Sequence, residues 1–371
     1  MNTPKVFASC GRYIQGAGVL EQLYDYVKSY GNKFLIIGSE RRLTALDPIL
    51  KKSLAGHEDA YVIEKFNGEC TRKEVARLVE AAKSNHCDCV IGIGGGKVMD
   101  TAKGVGYYGK YSTIICPTAA SSDAPMSALS VYYFEDGVLD EVIIYDRNPD
   151  MLLVDTDVIA KAGDRLLAAG MGDALATYYE ARGCIECYSG NFVNGLFTNS
   201  SWNLAKLCYK ILLESGKEAI LSVKNKLNTK ALEDVIEANT LLSGLGFESN
   251  GVTGAHSIYY GFTVIPRHEK YYHGEWVAFG TICLLLLENR PSFEIDEVVR
   301  FCMNVGLPIC LADLEMDDIT EEELEQVAVK AADPSETIHK EPFHVDKEMV
   351  KSVILTANEV GLLYKNGGSI L

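Results

Sequence analysis

The chain has 371 residues and a formal net charge of −16, with 47% hydrophobic and 23% charged residues. This composition is ordinary for a globular protein, and the length allows two domains with separate cores. The negative charge disfavours a nucleic-acid partner, because phosphate backbones require clustered Lys and Arg. No apolar run approaches the roughly 18 residues that cross a bilayer, and residues 1–5 lack a signal-peptide pattern. We therefore expect a cytoplasmic protein with no membrane partner.

The first part of the chain alternates helical and strand patterns. Unbroken apolar runs, such as residues 34–37, are typical of strands buried on both faces of a parallel sheet. The predicted strands are 34–37, 60–66, 89–93 and 112–116. The predicted helices are 18–30, 42–54 and 71–85. This alternation predicts a doubly wound, mostly parallel α/β sheet.

The pattern changes after residue 117. A loop of small hydroxyl residues at 118–125 precedes two strands, 128–134 and 141–145, joined by a hairpin turn at 135–137. One more strand is predicted at 151–155. Nearly all later segments have helical patterns: 164–169, 172–188, 199–214, 231–243, 254–262, 274–287, 295–305, 321–332 and 346–363.

We therefore predict an α/β nucleotide-binding domain at 1–160 and an all-helical, metal-binding domain at 161–371. A cleft between two domains is a favoured place for a ligand. The eleven cysteines are scattered, and the Cys184/Cys187 pair lies in a helical pattern without the second pair of a zinc ribbon. They indicate buried free thiols in a reducing compartment.

The stretch 89–103 combines a buried strand, three glycines (Gly94–Gly96) and the start of a helix. Backbone N–H groups and the helix dipole would then point at one anion. A tight turn that requires positive φ explains the glycines equally well. Lys97 and Asp100 one turn later favour a nucleotide.

Three residues of the helical half are candidate metal ligands. Asp173 lies at a predicted helix start, His256 within an apolar helix, and His273 at the first residues of another helix. Two histidines and one carboxylate are the ligand set of a catalytic Zn²⁺ or Fe²⁺ site with an open position. Individually, Asp173 is equally well a helix N-cap and His256 a hydrogen-bonded core histidine. Their spacing alone does not decide between these alternatives, because the three residues lie far apart in the sequence.

Taken together, these segments resemble the glycerol dehydrogenases of the iron-containing (group III) alcohol dehydrogenase family. The matching blocks occur in the family's order and cover the chain from about residue 5 to 365. They are 92–103, 117–125, 168–174, 244–249, His256 and 271–280. The resemblance implies a dehydroquinate synthase-like fold with an α/β N-terminal and an all-α C-terminal domain.

The resemblance also implies the roles of individual residues. Asp173, His256 and His273 would bind the metal, Zn²⁺ or alternatively Fe²⁺, and would act in catalysis and substrate binding together with Asp123. Asp123 would hydrogen-bond a polyol hydroxyl, and His268 would help to orient the substrate. The cofactor would contact Gly95, Gly96, Lys97, Asp100, Thr118, Ser121, Ser127, Leu129 and Tyr133.

One position departs from the family pattern. Where the family usually carries an aspartate after the strand at 34–37, to bind the adenosine ribose, this chain has Ser39. Glu40 would replace that carboxylate, or Ser39 with Arg41 or Arg42 would accept a 2′-phosphate. We expect NAD as the cofactor and leave NADP open.

The implied reaction is oxidation of the C2 hydroxyl of glycerol, or of a vicinal diol such as 1,2-propanediol, with hydride transfer to NAD. The product from glycerol would be dihydroxyacetone, and the implied assembly is a homo-oligomer, commonly an octamer. A dehydroquinate synthase-like lyase and a glycerol-1-phosphate dehydrogenase share this fold, but each would need a basic pocket. The segment around Asp123 is small and acidic. A non-catalytic nucleotide-binding protein is the remaining alternative, which the complete ligand set and glycine loop disfavour.

Overall fold

A computed structural model describes residues 3–371. Its central feature is a parallel sheet of six strands in the order β1-β8-β5-β4-β2-β3, accompanied by an antiparallel pair, β6 and β7. The strands are β1 (Tyr13–Gly16), β2 (Phe34–Gly38), β3 (Tyr61–Lys65), β4 (Cys89–Gly94), β5 (Ser112–Pro117), β6 (Leu129–Tyr133), β7 (Leu139–Ile144) and β8 (Met151–Asp155).

Fourteen α-helices occur among the described residues, and most follow residue 160. They are α1 (Leu23–Val27), α2 (Glu40–Ser53), α3 (Arg72–Ser84), α4 (Gly96–Gly109), α5 (Thr156–Ile159), α6 (Asp164–Glu186), α7 (Asn199–Lys224), α8 (Lys230–Glu237), α9 (Ser243–Asn250), α10 (Gly254–Phe262), α11 (His273–Leu287), α12 (Ser292–Val305), α13 (Glu321–Ala331) and α14 (Lys347–Lys365). A π-helical turn, Ala238–Leu242, joins α8 to α9.

The sheet is covered on both faces, as its apolar runs predict. On β2, Phe34 and Ile36 belong to a core cluster with residues of α1 and α2. The alternate residues Leu35 and Ile37 belong to the larger cluster with α3, α4 and the helical half. This alternation follows from the two-residue period of a strand. The predicted α/β fold class with a helical second half is confirmed.

The strand order reverses between β2 and β4. The chain moves from β2 outward to β3, and then returns to add β4, β5 and β8 on the other side of β2. In such sheets the crevice at the carboxyl ends of the two strands at the reversal is the usual ligand site. The fold therefore places a candidate nucleotide site after Gly38 and Gly94.

Two features near the N-terminus differ from the sequence prediction. Strand β1 was not predicted, because its four half-buried residues form no apolar run; it pairs with β8 at one edge of the sheet. The helix predicted at 18–30 is shorter, consisting of a 3₁₀ turn (Val19–Gln22) and α1. Gly18 has a φ of 68° and begins that turn. The predicted hairpin at 128–145 is confirmed by the pairing of β6 with β7.

Three predicted helix boundaries in the second half were wrong. The helices predicted at 164–169 and 172–188 are one continuous helix, α6, so Gly170 and Gly172 do not interrupt it. Helix α7 continues ten residues beyond its predicted end at 214. The helix predicted to end at 243 continues, through the π turn, to Asn250.

The last strand of the sheet ends at Asp155, and the elements that follow it among the described residues are helical. The domain division at residue 160 remains a prediction. All eleven cysteines are free thiols, ten of them buried. Within residues 3–371, no helix combines the length and hydrophobicity needed to cross a membrane.

Candidate active site

Three ligand-type side chains from separate helices meet in the helical half. Asp173 of α6, His256 of α10 and His273 of α11 each place one ligand atom within 4.8 Å of the other two. Asp173 Oδ1 lies 3.5 Å from His256 Nε2 and 3.1 Å from His273 Nε2. Within the part of the chain that the structure describes, no other three His, Cys, Asp or Glu side chains meet this criterion. The structure thus brings together the three residues predicted as metal ligands.

Close backbone packing of α6 against α11 places two of these ligands. A Cβ on Gly172 would overlap the carbonyl oxygen of Gly274, and a Cβ on Gly274 would overlap that of Ala169. Because glycine has no Cβ, the two helices can approach at this point. Asp173 is therefore in the interior of α6, not at a helix start, and faces His273 at the first turn of α11. The alternative of an N-cap aspartate was wrong.

The donor set fits a divalent transition metal. Asp173 is 1% exposed, and its Oδ1 accepts no hydrogen bond of good geometry; it faces the Nε2 atoms of His256 and His273. A buried carboxylate oxygen without a partner is costly unless another charge compensates it. One carboxylate and two imidazoles are ligands that Zn²⁺ and Fe²⁺ accept, and three protein ligands leave a position for substrate.

Glu180, which sequence reasoning missed, holds one of the histidines. Its Oε2 lies 2.5 Å from His256 Nδ1, and its Oε1 accepts hydrogen bonds from the backbone N–H groups of Thr253 and His256, both at 3.0 Å. Glu180 is fully buried. It lies seven residues after Asp173 on α6, about two helical turns, and therefore on the same helix face. That spacing was the available sequence signal.

Asp123 lies beside the three ligands on the loop that follows β5. Its backbone N–H donates to Asp173 Oδ2 at 3.2 Å, and its Oδ2 accepts a hydrogen bond from Ser243 Oγ at 2.8 Å. Ser243 Oγ also lies 2.8 Å from Thr177 Oγ1. Ser243 directly follows the π turn, a feature often found at functional sites. Helix α6 thus holds Asp123 directly through Asp173, and indirectly through Thr177 and Ser243.

Burial and neighbouring charges shift the pKa values of Asp123 and Asp173 in opposite directions. Burial raises the pKa of Asp123 well above its ordinary value, and the charge of Asp173 raises it further. Burial also opposes ionisation of Asp173, but His273 and His256 outweigh it and hold the pKa of Asp173 below its ordinary value. The surroundings of Asp173 therefore favour its anionic form, as expected of a metal ligand, whereas those of Asp123 favour its protonated form.

The predicted cofactor residues follow three neighbouring parallel strands. Ser39 follows β2, Gly95 follows β4 and Thr118 follows β5, and these strands are adjacent in the order β2-β4-β5. Thr118 is tied to the glycine loop, because its N–H donates to Gly94 O at 2.9 Å. These residues meet at the carboxyl edge of the sheet, at the reversal of strand order.

The glycines of this loop serve two purposes, and neither requires positive φ. A Cβ on Gly92 would overlap Ala102, and a Cβ on Gly94 would lie 2.6 Å from that of Val98, so both allow α4 to pack against β4. A Cβ on Gly95 or Gly96 would meet no described atom within 4 Å. Gly95 is the N-cap of α4, with a φ of −90°. The explanation as a turn with positive φ was wrong; the open space at the helix N-terminus fits a phosphate.

Lys97 and Asp100 of α4 have different surroundings. Lys97 is half-exposed, pairs with Glu69, and its Nζ lies 5.1 Å from the centre of the Tyr133 ring. Asp100 is buried; its Oδ2 accepts a hydrogen bond from Val131 N at 3.1 Å. Its Oδ1 lies 2.9 Å from Lys103 Nζ. Lys97 thus lies at the cleft, whereas the contacts of Asp100 attach α4 to β6.

The other predicted cofactor residues line the loop after β5 and strand β6. Thr118 and Ser127 are buried, and the Ser127 hydroxyl donates to Ala124 O at 3.2 Å. Three further residues are half-buried: Ser121, Leu129 and Tyr133. Among the predicted cofactor residues that have a side chain, these three, Ser39 and Lys97 are not fully buried.

The same loop connects the cofactor cleft to the metal ligands. Ala120 O accepts a hydrogen bond from Asn239 Nδ2 at 2.9 Å, and a Cβ on Gly170 of α6 would overlap that oxygen. Asn239 also donates to Leu167 O at 3.3 Å. Three positions later the loop supplies Asp123. One loop therefore borders both halves of the site.

At the ribose position, Ser39 is the N-cap of α2 and accepts from Arg42 N at 3.4 Å. Glu40 is exposed and pairs with Lys65 at 2.5 Å.

His268, in the 3₁₀ turn Pro266–Lys270, has its Nδ1 2.9 Å from Ile265 O.

The sequence model of "Iron-containing alcohol dehydrogenase" matches residues 10–156. The glycerol dehydrogenase of Citrobacter freundii is 43% identical over 96% of this chain and 98% of its own. The crystal structure of the Schizosaccharomyces pombe glycerol dehydrogenase superposes with a TM-score of 0.93 at 33% identity, covering 99% of this chain and 94% of that one. A probable glycerol dehydrogenase from Sinorhizobium meliloti 1021 gives a TM-score of 0.90 at 39% identity, covering 96% and 99%.

The chain belongs to the iron-containing alcohol dehydrogenase family. The resemblance proposed from the sequence is confirmed over nearly the full length. The protein is therefore an oxidoreductase, and family membership implies a nicotinamide cofactor and a divalent metal. In this family member, Asp173, His256 and His273 form the candidate metal site.

Proposed function

We propose that this protein is a metal-dependent, NAD-dependent glycerol dehydrogenase that oxidises the C2 hydroxyl of glycerol, or of a related vicinal diol such as 1,2-propanediol, to the ketone. The observation that carries the proposal is the convergence of His256 Nε2 and His273 Nε2 on the buried Asp173 Oδ1, beside the loop that borders the cofactor cleft. The relatives that carry the name glycerol dehydrogenase support the substrate assignment.

The three ligands would hold Zn²⁺, or alternatively Fe²⁺, with one coordination position left for substrate. Such a metal supplies Lewis-acid polarisation of the hydroxyl that is oxidised. Asp123, which Ser243 holds in place, would hydrogen-bond a second hydroxyl of the polyol. Two anchoring points favour a vicinal diol over a simple alcohol.

The cofactor would lie across the carboxyl ends of β2, β4 and β5. Gly95 and Gly96 would receive the pyrophosphate at the N-terminus of α4, with Lys97 beside it. Asp100 would act in cofactor binding by holding β6 against α4, since its carboxylate contacts Val131. The ribose and nicotinamide would be lined by Thr118, Ser121, Ser127, Leu129 and Tyr133.

Ser39 would contact the adenosine ribose. We favour NAD, because a glycerol dehydrogenase of this family implies it, although Arg41 and Arg42 follow Ser39 closely. Steady-state kinetics with both cofactors test the preference. A higher catalytic efficiency with NADP than with NAD would reverse it.

The substrate assignment is tested by a panel of glycerol, 1,2-propanediol, ethanol, glycerol-1-phosphate and a sugar phosphate. Each is assayed with NAD and NADP, with and without added Zn²⁺. We expect turnover with both vicinal diols, weak turnover with ethanol, and none with the phosphorylated compounds. A preference for a phosphorylated substrate would instead support the glycerol-1-phosphate dehydrogenase or lyase alternative. No bound metal and no metal-dependent turnover would support a non-catalytic nucleotide-binding role.

We further infer two domains, 1–160 and 161–371, a cytoplasmic location and a homo-oligomeric assembly. Free thiols at all eleven cysteines agree with a reducing compartment. Multi-angle light scattering on the purified protein measures the assembly directly. We expect an octamer, and a monomer would contradict the inferred homo-oligomeric assembly.

A further inference from the structure

We propose that Glu180 is a positioning residue that fixes the proton of His256 on Nδ1, so that Nε2 keeps a lone pair for the metal. This inference rests on the proposed metal site and adds a residue that the ligand set does not include. Its basis is the 2.5 Å distance between Glu180 Oε2 and His256 Nδ1. Metal-binding histidines commonly donate their second N–H to a carboxylate, which sets the tautomer and the ring orientation.

The carboxylate of Glu180 is itself held in place. Its Oε1 accepts hydrogen bonds from Thr253 N and His256 N, both at 3.0 Å, at the start of α10. Two backbone donors on one oxygen leave the other oxygen free to accept from the imidazole. Because Glu180 is fully buried, water does not compete for these contacts.

The position of Glu180 on α6 gives this helix three connected roles. Asp173, Thr177 and Glu180 lie at spacings of four and three residues and therefore share one helix face. Asp173 supplies a ligand, Thr177 contacts the Ser243 hydroxyl that holds Asp123, and Glu180 orients His256. One rigid helix thus sets the relative positions of the metal ligands and the neighbouring acid.

The isosteric variant Glu180→Gln separates positioning from packing. If its amide oxygen faces the two backbone donors, its NH₂ group must donate to His256 Nδ1, which moves the ring proton to Nε2 and removes the lone pair. If the amide is reversed, the NH₂ group faces two buried N–H donors, each of which loses its acceptor. The first orientation weakens metal binding by changing the tautomer. The second keeps the tautomer but removes the negative charge that makes the imidazole a stronger ligand. Shape and volume are nearly unchanged in both.

The matched control is Glu248→Gln. Glu248 is also buried on a helix, and it accepts from Ala128 N and Asn148 Nδ2, both at 2.6 Å, without touching a ligand. Zinc affinity is measured on metal-free proteins by competition with a chromophoric chelator, and the thermal unfolding midpoint is recorded on the same samples. We expect Glu180→Gln to weaken Zn²⁺ binding by about 10- to 100-fold and Glu248→Gln to leave it unchanged.

Wild-type zinc affinity in a folded Glu180→Gln variant would overturn the inference. His256→Asn distinguishes this outcome from failure of the metal site itself, because unchanged affinity in that variant would remove His256 from the ligands. A second readout does not depend on whether Glu180→Gln folds. In the zinc-bound wild type, the downfield imidazole N–H resonance of His256, identified by its loss in His256→Asn, should arise from Nδ1. A proton on Nε2 would refute the proposal.

Discussion

The two halves of the candidate site are built from different parts of the polypeptide. On the cofactor side, the groups available to a ligand are mainly backbone atoms and open space at the N-terminus of α4, after Gly94. On the metal side they are side chains, and further side chains hold two of them: Glu180 contacts His256, and Ser243 donates to Asp123. A backbone site depends on glycine and strand geometry, whereas a side-chain site depends on single atoms. The two sides should therefore respond differently to substitution.

The largest expected effect is that of His273→Ala. This variant removes one of three ligands, so turnover should fall by roughly a thousand-fold or more, because a Lewis acid contributes several kcal/mol to such a step. NADH affinity, measured by fluorescence titration, should remain within about twofold of wild type, less than about 0.5 kcal/mol. Loss of NADH binding together with turnover would show that the two sides are not separable in this way.

On the cofactor side, the stability of the fold also depends on one buried charged side chain, that of Lys103. Its Nζ lies 2.9 Å from both Asp100 Oδ1 and Ala124 O, and it contacts Leu129 O. Lys103→Met would leave Asp100 buried without its cation, so the free energy of unfolding should fall by about 3–5 kcal/mol. Chemical denaturation measures this. The control Lys97→Met removes a half-exposed lysine of the same helix and should lower the free energy of unfolding by less than about 1 kcal/mol. Equal losses in the two variants would contradict the role of Lys103 as the cation that compensates Asp100.

A smaller effect should separate two adjacent glycines. The methyl group of Gly95→Ala enters open space, so stability should be almost unchanged, but NADH should bind about tenfold more weakly, a loss of about 1.4 kcal/mol. Gly94→Ala places its methyl group against Val98 and should instead lower the unfolding free energy by about 1–3 kcal/mol. Unchanged NADH affinity in Gly95→Ala would place the pyrophosphate elsewhere.

Sequence patterns predicted most of the α/β half, because its signals are local. The apolar runs of β2, β4 and β5 and the glycines after β4 identify a parallel sheet and its ligand-binding edge. Strand β1 was missed because four half-buried residues at a sheet edge carry no such run. Its formation depends on pairing with β8, more than a hundred residues away.

The metal side was predictable only in part. Asp173, His256 and His273 were candidate ligands on their own chemistry, but only the family resemblance assigned them that role, because their sequence separations carry no local periodicity. Gly170 and Gly172 suggested a helix break, yet they serve close helix packing, which depends on partners distant in the sequence. Glu180 was missed because its one sequence signal, the seven-residue spacing from Asp173 on α6, has meaning only once the position of its partner His256 is known.

The central claim is that Asp173, His256 and His273 bind a divalent metal that turnover requires and that NAD binding does not. Turnover of glycerol and NADH affinity should be measured on one preparation before chelation, after removal of all bound metal, and after stoichiometric addition of Zn²⁺. We expect turnover to disappear with the metal and to return with Zn²⁺, while NADH affinity stays constant throughout. Undiminished glycerol oxidation by the metal-free protein would contradict it.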